Sequence, residues 1–112
     1  DELKWTDVPN GGGVQTSVVE GDAKGAHHFF LKFPAGLDAP LHHHSTDHYG
    51  VVVKGTMTLA VDGKETKLPV GSYFSFTNKT KHATKCDAAS ECILFIDARK
   101  AWDVVMAPVA KK

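Results

Sequence analysis

Residues 36–55 read GLDAPLHHHSTDHYGVVVKG and hold four of the chain's seven histidines, His42, His43, His44 and His48, within seven positions. An expression tag would sit at a terminus and this cluster is internal, which leaves a solvated loop or a metal site. Side chains on a strand alternate between faces, so His42 and His44 share a face and His43 points away. His48 opens a further strand after the short polar connection Ser45-Thr46-Asp47, and can fold back beside the pair. His82 follows the loop Asn78-Lys79-Thr80-Lys81 and starts another strand. If that strand lies beside the others in a barrel, His42, His44, His48 and His82 converge on one interior point. An isolated histidine is more often a surface or satisfied core residue, and a lone HxH is weak. A third histidine four positions on, and a fourth at a turn–strand boundary, are much harder to obtain by chance.

The remaining punctuation is that of an all-β chain. Apolar residues alternate over 14–20, 27–33, 48–54, 56–61, 72–76 and 91–97. Turn residues separate these runs, and Asp62-Gly63 is the strongest short hairpin signal because glycine tolerates the positive φ of a type I′ turn. Short strands at this spacing imply a sandwich or barrel. Residues 98–107, ARKAWDVVMA, read as a turn and a last strand, and the tail APVAKK as frayed.

At 112 residues the chain is expected to form one domain over 1–112. Thirteen basic residues balance thirteen acidic ones, so nothing draws it electrostatically to nucleic acid or an anionic membrane. No apolar run approaches the roughly 20 residues of a membrane-spanning helix. The two cysteines, Cys86 and Cys92, are not a CxxC pair. KCDAASECILF reads as strand, turn, strand, so a cross-strand disulfide is expected ahead of two buried thiols, and disulfides persist in oxidising compartments. With a first residue other than Met, the chain is read as a processed protein, periplasmic or secreted.

The stretch from Gly36 through His42, His44 and His48 to Gly55 resembles the first motif of the cupin superfamily: Gly, five residues, HxH, a short spacer, Glu, six residues, Gly. His48 stands where most cupins carry glutamate. Gly63, Pro69, Gly71 and His82 resemble the second motif, with NKTK in place of its PxG. The chain is similar to small single-domain bacterial cupins, often exported. The resemblance implies a cupin-type jelly-roll β-barrel, with motif 1 at about 36–55 and motif 2 at about 63–82. It implies His42, His44, His48 and His82 as ligands of one divalent transition metal ion: Mn, Fe, Cu, Ni or Zn. A homodimer is expected by the same likeness. Asp47 is the nearby carboxylate that can replace His48, although alternation aims it outward if His48 aims in.

Four imidazoles cancel none of a divalent ion's charge, which favours an anionic or enolisable small molecule as substrate or ligand. Similar histidine-only cupins make dioxygenase-like oxidoreductase chemistry the leading expectation. A non-catalytic metal or ligand-binding module, and a cupin isomerase or lyase, are the alternatives. Gly50 and Val52 are expected to share the inward face with His48, and Thr84 with His82. His28 is read as an exposed strand histidine ahead of a group supporting the site, and Tyr49 and Tyr73 as barrel or interface packing ahead of substrate contacts; no general base stands out.

Overall fold

The computed structural model describes residues 3–8, 13–22, 24–44, 46–77, 81–102 and 105–106, with the side chains of 40, 41, 43, 105 and 106 excepted. All regular structure among them is strand. The strands are β1 (Thr6–Asp7), β2 (Gln15–Gly21), β3 (His27–Phe33), β4 (Asp38–His43), β5 (His48–Lys54), β6 (Met57–Val61), β7 (Lys64–Leu68), β8 (Tyr73–Phe76), β9 (His82–Cys86), β10 (Cys92–Ala98) and β11 (Val105–Met106). They form two antiparallel sheets. One has the order β1-β2-β3-β10-β5-β8 and the other β11-β4-β9-β6-β7. The expected strand after Trp102 is β11, which pairs with β4. The tail expected to fray, and the outward direction expected for His43, lie outside the described residues.

Period-2 patterning builds the interior. In β3, Phe29, Leu31 and Phe33 are buried, and in β10 Cys92, Leu94, Ile96 and Ala98 are. These side chains close on Val52, Met57, Phe74 and Phe76 as one core between the sheets. Complete burial of one such large apolar side chain contributes about 1.5–3 kcal/mol. Gly50 belongs to the same face, as its alternation with His48 requires. A Cβ there would lie 2.5 Å from Phe74 Cζ and 2.9 Å from Ile96 Cδ1, so the close approach of the rings excludes a side chain. At the β6–β7 hairpin, Asp62 (φ 52°) and Gly63 (φ 76°) both take positive φ between Val61 and Lys64, the type I′ geometry expected of Asp-Gly.

Cys86 and Cys92 form a disulfide with a Cα–Cα distance of 5.9 Å. Its placement corrects the strand–turn–strand expectation. Strands β9 and β10 are not paired; they belong to different sheets, so the bond joins the two sheets. The chain changes sheets over 87–91, which a reading of local alternation cannot detect. The bond lies at one end of the interior, beside Phe33 and Met57, which are the cross-strand partners of Cys92 and Cys86. The opposite end carries the histidines.

Candidate metal centre

Two elements of the second sheet set the centre. Strands β4 and β9 pair Ala39 with Thr84 and His42 with His82, so three steps on β4 match two on β9. That extra residue is a β-bulge, and Pro40 lies within it, where a missing N–H costs no ladder hydrogen bond. The bulge brings His42 directly opposite His82, with ring centroids 4.3 Å apart. His44, two residues beyond His42, turns to the same interior. The result is a buried group in which ring nitrogens of His42, His44 and His82 all lie within 4.8 Å of one another.

Nε2 of His44 is 3.1 Å from Nε2 of His82. Two imidazoles each about 2.05 Å from one ion and 90–109° apart have nitrogens separated by about 2.9–3.3 Å. The pair therefore has the spacing of neighbouring ligands. Three imidazoles with no carboxylate among them form a nitrogen donor set suited to late first-row divalent ions. On geometry and donor chemistry, the residues fit a transition metal.

His48 enters from the other sheet, where it pairs with Phe76 and Ala98. Its ring lies 4.5 Å from that of His44, although it stands outside the close three-histidine group. It is 2 % exposed, and its Nδ1 is buried without a hydrogen-bond partner. Burial holds its pKa down at about 4, and the nearby His82 and His42 add to the depression. The ring is therefore neutral, and able to offer a lone pair, throughout the physiological range. Asp47 is not part of the cluster. The group of close ligand atoms is His42, His44 and His82, and the main-chain carbonyl of Asp47 accepts from the Arg99 N–H at 3.3 Å and from the Thr46 hydroxyl at 3.3 Å.

Aromatic rings fix the imidazoles. Phe76 lies parallel to His82 at 3.6 Å. Trp102 stacks on His44 at 5.2 Å with a 26° tilt, and touches His48 at 6.4 Å and Phe29 at 5.3 Å. Its Nε1 is buried without an acceptor. Thr84 shares the interior with His82, as alternation predicts, and its hydroxyl also has no partner.

Sequence reasoning singled out neither Trp102 nor Phe76. Trp102 follows β10 and precedes β11, in the segment that crosses between sheets, and its only signal is a tryptophan in an ambiguous run. His27 was also passed over. It faces the interior, stacks on Phe29 at 5.0 Å and donates from Nδ1 to the Gly25 carbonyl at 2.7 Å.

His28, Tyr49 and Tyr73 are absent from the centre. His28 sits between Glu20 at 2.9 Å and Asp97 at 3.5 Å. Tyr49 and Tyr73 line an outer groove with Phe95, Asp97 and Arg99.

A family model described as a cupin domain matches residues 29–97. No curated protein matches the sequence. Similar solved structures include KdgF from Halomonas sp., at 23% identity and TM-score 0.71, covering 88% of this chain and 88% of that one. An RmlC-like cupin from Shewanella frigidimarina matches at 23% identity and TM-score 0.73, over 89% and 86% of the two chains. The polyketide cyclase RemF from Streptomyces resistomycificus matches at 15% identity and TM-score 0.81, over 98% and 83%. At these identities the likeness is one of fold.

Proposed function

The chain belongs to the cupin family, and we propose that it is a metal-dependent cupin oxidoreductase, dioxygenase-like, acting on a small anionic or enolisable molecule. One observation carries the reading: three buried imidazoles from β4 and β9 bring their nitrogens within 4.8 Å of one another, with no carboxylate in the group. His42, His44 and His82 would hold one divalent transition metal ion, Mn, Fe, Cu, Ni or Zn, and His48 would supply a fourth nitrogen from the facing sheet. The bound ion would contribute Lewis acidity and, if redox-active, one-electron chemistry, with a charge that no ligand offsets.

The chain's own residues do the rest. Neutral His48 keeps positive charge away from the centre. Phe76 and Trp102 hold the rings of His82 and His44 in place and exclude water. Gly50, Val52 and Ile96 give the interior an apolar wall. Among the described residues, no side chain at the centre is an evident general base, which suits a reaction that needs a substrate held in place rather than a proton moved by the protein. RemF, a cyclase of similar fold, supports a small-molecule role by analogy alone. The reading includes a homodimer and a periplasmic or secreted location, the latter supported by the disulfide.

The test is oxygen uptake by protein loaded separately with iron, manganese or copper, offered β-diketones and catechols. Consumption that requires metal and disappears in His82→Ala is the expected result. Tight metal binding without turnover of any such substrate would instead identify a binding module. Light scattering at micromolar concentration gives the oligomeric state.

A further inference from the structure

We propose that Trp102 is the ligand-positioning residue of the metal centre, its indole N–H donating a hydrogen bond to an oxygen of a small carboxylate or enolate held beside His44 and His48. The inference rests on the metal-centre reading above and adds the group that recognises the bound molecule.

Three observations converge on it. First, Trp102 belongs to the centre by contact: its ring stacks on His44 at 5.2 Å and meets His48 at 6.4 Å. Second, its Nε1 is buried and has no acceptor, and a buried donor left unsatisfied is destabilising. Indole nitrogen donates and never accepts, so the group that satisfies it must bring an acceptor. Third, the segment bearing it is fixed. The Arg99 N–H donates to the Asp47 carbonyl at 3.3 Å, which ties the chain after β10 to the connection leading into His48. The ring also meets Phe29 at 5.3 Å. A donor held this way is already oriented before a ligand arrives, which lowers the entropy lost on binding.

The chemistry of the surroundings selects the ligand class. The described rings that Trp102 meets, those of His44, His48 and Phe29, carry no carboxylate and no ammonium or guanidinium group. An N–H donor near an ion whose charge no ligand offsets favours an anionic oxygen over a cation or a neutral hydrocarbon. Thr84, which shares the buried interior with His82, adds a hydroxyl that is likewise without a partner.

The experiment uses ¹⁵N-labelled full-length protein loaded with Zn(II), which is diamagnetic, titrated with acetate. The chain has two indole N–H resonances, from Trp5 and Trp102, which a Trp5→Phe variant assigns. Trp5 lies under Lys32 at 4.1 Å and serves as the internal reference. The Trp102 N–H proton is expected to move downfield with saturation while Trp5 stays in place. Trp102→Phe keeps an aromatic ring and removes the donor. It should take up Zn(II) like the parent but bind acetate about tenfold more weakly, the scale of one hydrogen bond to a charged acceptor.

A Trp102 resonance that does not respond, or unchanged acetate affinity in Trp102→Phe, overturns the inference while the metal centre stands. Loss of Zn(II) itself in Trp102→Phe also overturns it, by reducing Trp102 to packing for His44. Failure of the parent protein to take up Zn(II) removes the metal centre, and this inference with it.

Discussion

At the scale of single residues, the charge state of the histidines governs both the centre and stability. His48 is 2 % exposed, and its pKa is lowered to about 4, mainly by burial. In the unfolded chain it titrates near 6.5, so between pH 6.5 and 4 the unfolded state binds the extra proton and stability is lost as the pH drops. His48 alone should remove about 2 kcal/mol of metal-free stability between pH 7 and pH 5. Urea denaturation at the two pH values should show this loss in the parent and a flatter dependence in His48→Gln; equal slopes would mean that His48 is hydrated. His44→Ala and His82→Ala should each lower metal occupancy at least tenfold by elemental analysis, because each removes one of three close ligands. The three clustered histidines were legible because an HxH on a strand and a histidine opening another strand are local patterns. The part played by Trp102 was not legible, since nothing in ARKAWDVVMA tells that the chain recrosses the barrel over His44. The relation of His48 to the other three was half legible: alternation gives its inward direction, whereas its offset from the group depends on the spacing of two sheets.

At the scale of elements, register carries the site. The alternation in β3, β5 and β10 was readable residue by residue, and the Asp62-Gly63 hairpin followed from φ alone. The bulge in β4 was not, because no local rule says that Pro40 and Leu41 must absorb a step so that His42 faces His82. Sheet membership was also hidden, which is why the disulfide joins two sheets and not two paired strands. Cys86 and Cys92 close a loop of sequence separation six, and such a short loop stabilises by about 2 kcal/mol in the chain-entropy account. Reduction with dithiothreitol should lower stability by about that amount. It should leave the visible spectrum of the Co(II)-loaded protein unchanged, because Cys86 and His82 are at opposite ends of β9. A spectral change on reduction would show that the two ends of the interior are mechanically coupled. In β5, Gly50→Ala introduces a methyl 2.5 Å from Phe74 and 2.9 Å from Ile96, and overpacking of this kind costs about 1–3 kcal/mol. The midpoint of a denaturant titration reads it directly.

At the scale of the whole molecule, His42, His44 and His82 belong to one sheet or its immediate continuation, and His48 belongs to the other. A metal held by the first three alone would brace β4 and β9. Held by all four, it would also tie in β5, adding a second link between the sheets at the end opposite the disulfide. Metal at about 100 times its dissociation constant stabilises any site it binds only in the folded state by about 2.7 kcal/mol, whichever ligands are used. The melting temperature therefore cannot separate the two cases, but the distribution of protection can. Hydrogen exchange of Zn(II)-loaded and metal-free protein should show added protection in β5 and its neighbours β8 and β10 as well as in β4 and β9, because sub-global opening of one sheet would break the link. His48→Ala should then confine the added protection to β4 and β9 while metal still binds through three histidines. Added protection already confined to those two strands in the parent protein would remove His48 from the ligand set. His48 would then remain as a neutral buried ring that shapes the cavity beside the metal, and the centre would be a three-histidine site with one more position open to the bound molecule.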